Sequence, residues 1–409
     1  MSTEQLVIIG AGLAGATAAA TLRAEGFGGE VVLIGNEGRT PYLRPPLSKG
    51  YLAGKDSEES LLPYPEAWYA ENNIRLELSD PAVALDAGTR TVTLASGATV
   101  PYSKLLLATG ASPRHLGFPG ADLAGVHVLR TVEQSRALHA ELAAGGRNVV
   151  MVGSGWIGME VAATARQLSN EVTLIGLEEV PLSAALGDKL GAVFAARQEE
   201  EGVRFVLPAS VSSATAGADG HVSAVVTSTD VTLPADVVVV AAGVVPNTAL
   251  AEAAGLELRN GIVVDAGLRT SDPDIFAAGD VANALHPTTG EHARSEHWAN
   301  AIASGAAAAR SMLGAKVALD EIPYFYTDQF DLGMEYSGFA AWTKDAEVVI
   351  RGSLDSYEFV AFWLRAGAVV AGMNVNVWDV QDAIKELTRS GRTVDPGRLA
   401  DTAVPLGEV

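Results

Sequence analysis

Short apolar runs closed by glycine recur along this chain, and two of the blocks that they open follow one plan. Residues 6–37 read LVIIGAGLAGATAAATLRAEGFGGEVVLIGNE and residues 149–178 read VVMVGSGWIGMEVAATARQLSNEVTLIGLE. Each gives an apolar strand, a G-x-G-x-x-G turn, an alanine-rich helix and a second apolar strand ending in Gly-x-Glu. That order predicts a parallel strand–helix–strand unit. The apolar strands KLLLATG (104–110) and DVVVVAAG (236–243) also end on small residues, which let the backbone approach a flat ligand or a hinge. TSDPDIFAAGDVAN (270–283) predicts a strand, then Gly279-Asp280, then an alanine-rich helical segment; an Asp there is a helix N-cap or a ligand contact. Residues 294–313 predict a helix with small residues over much of its surface. From about residue 318 the pattern turns aromatic and alternating, which predicts strands. A terminal helix near 378–390 and a tail containing Gly, Pro and Arg follow. The fold class is α/β: two Rossmann-like dinucleotide-binding units and a C-terminal α+β domain.

The glycine spacing carries the chemistry. The first glycine permits a tight turn, the second admits a pyrophosphate to the backbone, and the third lets helix and strand pack closely. In the first block these are Gly10, Gly12 and Gly15, with Glu37 as the acid for a ribose. In the second they are Gly153, Gly155 and Gly158. Alignment by strands pairs Gly35 with Gly176 and Glu37 with Glu178, so Glu178 becomes the second ribose acid. No Arg or Lys follows it closely to hold a 2′-phosphate, which favours NADH over NADPH. Glu160, two residues past Gly158, puts an acid in the expected first turn of the helix. Such an acid is worth roughly 0.3–1 kcal/mol against the helix dipole. Thr17 occupies the aligned position of the first block, so the turn itself does not require a carboxylate.

Composition narrows the class. The chain has 409 residues, enough for two or three domains, and at 48% hydrophobic and 19% charged it reads as well-buried and globular. It has no cysteine, which excludes disulfides, thiolate metal sites and cysteine nucleophiles. The net charge of −21 argues against nucleic acid as a partner. No signal-peptide pattern opens the sequence, and apolar runs such as VVVVAAGVV (237–245) are too short to span a bilayer, so a cytoplasmic protein without membrane attachment is expected. His286, His292 and His297 cluster without metal-ligand spacing, so no metal is expected.

The two dinucleotide units, the ATG strand end and the AAGD element, in this order, resemble the two-dinucleotide-binding-domain flavoprotein superfamily over essentially the whole chain. The expected architecture is glutathione-reductase-like. TPYLRPPLSKGYL (40–52) occupies the region where disulfide reductases carry a redox cysteine pair, which this chain lacks. That segment and IPYFYTDQFD (322–331), similar to a PxFWSDQ signature, resemble the ferredoxin reductases of bacterial oxygenase systems. The resemblance implies an FAD domain at 1–112 and 240–317, an NAD(H) domain at 113–239 and a C-terminal domain at 318–409.

The same resemblance implies site residues. FAD would take the first turn, with Ala14, and Asp280 beside Gly279. Lys49 would lie near the flavin N5 and pair with Glu160, which would contact the nicotinamide carboxamide. Trp298 would approach the pyrimidine edge of the flavin. Further cofactor contacts would come from Arg44, Pro45, Val83 and Arg130, and from the strand ends at Ala108, Thr109, Gly110 and Gly243. Trp156 and Ile157 in the second turn, Glu296 and His297 before Trp298, and Tyr326 complete the set. Two departures stand out: Gly176 replaces the usual acid, and Tyr326 replaces the signature Trp.

The implied reaction is hydride transfer from NADH to FAD, followed by one-electron transfers to a ferredoxin or rubredoxin that feeds an oxygenase, by a monomer or homodimer. Arg310, Lys316, Arg389, Arg392 and Arg398 are candidate docking cations or scattered solubilising charges. The alternatives are a redox-responsive NADH-binding flavoprotein of the apoptosis-inducing-factor type and a stand-alone NADH oxidase.

Overall fold

The computed structural model describes residues 4–409, which divide into two compact units. One comprises the described residues up to Arg44 with Glu58–Ser112 and Val245–Pro323; the other comprises Pro45–Ser57, Pro113–Val244 and Tyr324–Val409.

The first unit is built on a parallel five-stranded sheet in the order Ile275–Ala277, Lys104–Leu107, Gln5–Ile9, Glu30–Ile34, Ile74–Glu77. Its inner strands are continuous apolar runs because both faces are covered. The helix Leu13–Ala24 packs on Trp298–Met312, and small residues bring the two close: a Cβ on Gly305 would stand 2.4 Å from the Ala14 carbonyl oxygen.

The second unit repeats the plan in the order Arg204–Val206, Glu171–Ile175, Asn148–Val152, Val237–Val240, Val126–Val128, again all parallel. In both sheets the strand that enters the glycine turn is central. The same unit contains a five-stranded antiparallel sheet, ordered Tyr324–Gln329, Leu332–Gly338, Ala368–Val375, Glu358–Arg365, Glu347–Ser353. The helix Gln381–Ser390 covers it, burying Ile384 and Leu387 with Val360, Phe362 and Leu364.

Sterics explain the glycines. Gly10 (φ +120) and Gly153 (φ +118) lie against the neighbouring strand, where a Cβ would stand 2.0 Å from Ala108 O and 2.4 Å from Ala241 O. A Cβ on Gly15 or Gly158 would stand 2.0 Å from the carbonyl oxygen of the turn's first glycine. The middle glycines differ. Gly12 (φ −87) and Gly155 (φ −83) have ordinary backbone angles and nothing within 4 Å of an added Cβ.

Three local expectations need correction. After Gly279-Asp280 comes a single 3-10 turn, Gly279–Val281, and then the strand Ala282–Leu285, not a helix. Pairing with Ile262–Val264 and His292–Arg294 overrides the helix preference of alanine there. The residues from 294 do not all join the following helix, because Arg294 ends a paired strand and the helix starts at Trp298. The tail also carries a short helix, Pro396–Ala400, capped by the Asp395 side chain. Among the described residues, no helix is long and apolar enough to cross a membrane.

The turn geometry predicts opposite responses within one motif. Gly158→Ala should destabilise the second unit by about 1–3 kcal/mol or more, since backbone must move. Gly155→Ser, at a helix N-cap with open space, should leave stability within a few tenths of a kcal/mol. Urea unfolding checks both; equal losses would contradict the assignment.

Candidate active site

Both turn helices begin at N-caps without a side-chain cap, Gly12 and Gly155, and neither has an acid in its first turn. Their first amide groups therefore lack intrahelical partners, and the helix dipole presents partial positive charge there. Together with the open space over Gly12 and Gly155, this fits a pyrophosphate at each turn. The placement of Glu160 differs from expectation. The helix Trp156–Gln167 starts before Gly158, so Glu160 is its fifth residue and lies in the second turn.

Glu160 is 5% exposed, and both of its carboxylate oxygens have partners. Lys49 Nζ pairs with Oε2 at 2.8 Å, and Ser48 Oγ donates to the same oxygen at 2.5 Å. Thr327 Oγ1 donates to Oε1 at 2.7 Å. Three chain segments thus converge on one charge. The segment that carries Ser48 and Lys49 is held by side chains donating to its backbone. Ser135 Oγ reaches Leu47 O at 2.8 Å, Thr164 Oγ1 reaches Ser48 O at 2.8 Å, and the His139 Nδ1 contact with Leu52 O is 2.7 Å. The hydroxyl of Thr327 is itself backed by Gln329 at 3.4 Å, and Gln329 by Gln198 at 3.0 Å, all buried.

The surroundings are acidic. Burial raises the Asp328 carboxyl above its ordinary range; Lys49 opposes the rise, and Glu160 and Glu335 add to it. Burial, with Asp328 and Glu160, likewise raises the Tyr326 phenol, and Lys49 Nζ lies 5.5 Å from the Tyr326 ring centre. Trp156 packs on Phe325 at 5.1 Å and on Phe194 at 6.0 Å, while Ile157 is 41% exposed.

In the first unit, Arg44 Nη2 donates to Glu37 Oε1 at 2.5 Å and Nη1 to the Tyr42 hydroxyl at 3.0 Å. That hydroxyl in turn donates to Glu37. Burial lowers the Arg44 pKa, but Tyr42, Glu37 and Asp280 outweigh it, so the net shift is upward. Asp280 also bears on His297, whose imidazole burial pushes down to about 4 against the pull of that carboxylate. With no helix following it, Asp280 is not a helix N-cap.

Other expected residues have structural partners or stand apart. The Thr109 hydroxyl donates to Asn247 O at 2.7 Å, and Glu296 pairs with Arg294 at 2.5 Å. Arg130 N donates to Gln134 Oε1 at 2.8 Å beside a capping box. Trp298 opens its helix, 38% exposed. Val83 lies on a peripheral antiparallel strand, 56% exposed. Glu178 follows Gly176 on a loop, half-buried. Ser48 and Thr327 escaped the sequence reading, because a hydroxyl residue carries no signal until its acceptor is placed.

Comparison with known proteins adds independent findings. Residues 4–305 match the pyridine nucleotide-disulphide oxidoreductase family, and residues 324–409 match the reductase C-terminal family. The ferredoxin–NAD(+) reductase component of an anthranilate 1,2-dioxygenase system from Burkholderia cepacia is 40% identical, over 99% of each chain. Putidaredoxin reductase from Pseudomonas putida is 35% identical, over 100% of this chain and 97% of that one. Among solved structures, a ferredoxin reductase from Rhodopseudomonas palustris superposes with a TM-score of 0.94 at 36% identity, covering 99% of each chain. A covalent putidaredoxin reductase–putidaredoxin complex gives a TM-score of 0.94 at 34% identity, covering 99% of this chain and 97% of that one.

Two predictions follow the charges. Lys49→Met leaves Glu160 buried without a cation and should cost about 3–5 kcal/mol, whereas adding Glu160→Leu should recover most of that loss. A double-mutant cycle in urea checks this, and additive losses would count against the pair. His297 binds a proton more readily unfolded, near 6.5, than folded, near 4. Its contribution to stability is present above pH 6.5 and fades as pH falls toward 4, so His297→Gln should flatten the acid side of the Tm–pH curve.

Proposed function

The chain belongs to the pyridine nucleotide-disulphide oxidoreductase family, and on that premise we propose that it is an FAD-dependent NADH oxidoreductase that passes electrons to a ferredoxin or rubredoxin of an oxygenase system. The observation that carries this reading is the pair of open, uncapped glycine turns, one per unit, each fit for one dinucleotide. The absence of cysteine removes the disulfide step that the family name implies. Two of the similar proteins are named as reductases that serve ferredoxin or putidaredoxin, which supports a one-electron iron–sulfur partner.

Bound FAD would supply an acceptor for the hydride of NADH and a donor of single electrons. The chain's own residues bind and orient. In the first unit, Gly12 and the helix after it take the FAD pyrophosphate. Glu37, aligned by Arg44 and Tyr42, offers a carboxylate to a ribose, and Asp280 lies beside Arg44 as a further hydroxyl acceptor. In the second unit, Gly155 and its helix take the NADH pyrophosphate. Glu160, held by Lys49, Ser48 and Thr327, offers the remaining lone pair of Oε1 to the nicotinamide carboxamide, and alignment is what a hydride transfer requires. Proton handling falls to no triad. A cytoplasmic location is part of the same proposal.

The experiment is NADH-driven reduction of a panel of plant-type, putidaredoxin-type and rubredoxin acceptors by the purified flavoprotein. At least one should be reduced far faster than oxygen. Rapid NADH consumption with oxygen alone would instead identify an oxidase. Gly155→Val should keep FAD, because the fold leaves room for that side chain, but should lose NADH binding; Gly12→Val should do the reverse.

A further inference from the structure

Both strands that follow a glycine turn end in Gly-x-Glu, and neither of those glycines serves the backbone: Gly35 and Gly176 are not in the left-handed region. A side chain is barred there by the residue between the turn's first two glycines. A Cβ on Gly176 would stand 2.4 Å from Ser154 Oγ and 2.8 Å from Ser154 Cβ, with Leu207 Cδ2 at 3.2 Å. In the first unit a Cβ on Gly35 would stand 2.7 Å from Ala11 Cβ. The end of this strand is where a dinucleotide fold ordinarily carries its ribose acid. Ser154 is buried, so it has little room to yield.

The loop beyond is pinned at both ends. Ala209 N donates to Gly176 O at 2.7 Å, and Leu182 N donates to Ser154 O at 3.1 Å, with Leu182 in the left-handed region at φ 61. Between these anchors lies Glu178. Among the described residues, its carboxylate makes no hydrogen bond or ion pair, in contrast to the engaged Glu37. Residues 177–182, LEEVPL, carry two acids and no cation.

We propose that Ser154 is a specificity-determining residue of the NADH site: it closes the usual position of the ribose acid and passes recognition of the 2′-hydroxyl to Glu178. An unpaired carboxylate there accepts from the hydroxyl and repels a 2′-phosphate. Ser154 acts through the space that it fills, and Glu178 through direct contact. The inference rests on the reading of the second unit as the NADH site.

The test uses the FAD-loaded full chain and five variants, with steady-state kinetics on NADH and NADPH and thermal unfolding. Glu178→Gln should raise KM for NADH about tenfold or more, affect kcat much less, and narrow the preference over NADPH. Gly176→Glu alone should lower Tm and weaken NADH binding through the clash. Adding Ser154→Gly should recover both, and on that background Glu178→Gln should no longer matter. An unchanged KM and coenzyme preference in Glu178→Gln overturns the inference, as does a failure of Ser154→Gly to rescue Gly176→Glu. Gly155→Val separates the two levels: if it still binds NADH, the site reading itself fails, whereas if it loses NADH while Glu178→Gln is silent, only the present inference fails.

Discussion

One buried carboxylate organises the second unit. Glu160 accepts from Lys49, Ser48 and Thr327, side chains from two segments far from it in sequence. A charge at that depth is stable only if its donors stay in place, since losing one partner of a buried pair costs several times what an exposed pair contributes. The demand propagates outward. Ser135, Thr164 and His139 fix the backbone of the Lys49 segment, and Gln329 and Gln198 back Thr327. The second turn of the helix Trp156–Gln167 suits such a charge. The first turn, free of carboxylates and uncapped, is left for an anion. A pyrophosphate at the first turn would thus not compete with the second-turn carboxylate for the same amides.

The duplication of the dinucleotide unit brings out what is specific to each half. Both turns place the same glycines under the same steric pressure and leave the same middle glycine open. Thr17 stands where the second unit has Glu160, and Ala11 where it has Ser154. The first replacement adds a charge that holds a lysine; the second adds a hydroxyl inside the turn. Both differences lie in the turn and the helix after it, while the buried strands behind them stay apolar runs. Tyr326 fits the same account: it keeps an aromatic face for Lys49 while surrendering indole area.

Much of this was legible because sterics write directly into sequence. Gly10, Gly15, Gly153 and Gly158 are required by contacts of 2.0–2.4 Å, so their spacing announced two turns and two parallel sheets. The Lys49–Glu160 pair was legible only through family resemblance, because nothing local links residues so far apart. Ser48 and Thr327 were not legible at all. The turn of Glu160 was misjudged because the motif's last glycine lies inside the helix rather than before it. Residues 282–285 were misjudged because alanine prefers helix until a neighbouring strand offers hydrogen bonds, a tertiary fact.

In the proposed site, Glu160 sets the reactive end of NADH rather than merely stabilising a helix. Stopped-flow reduction of the bound flavin by NADH under anaerobic conditions tests it most directly, comparing the native chain with Glu160→Ala at equal FAD content. Flavin reduction should be slower in the variant, with FAD retained. A reduction rate unchanged from the native chain would contradict it.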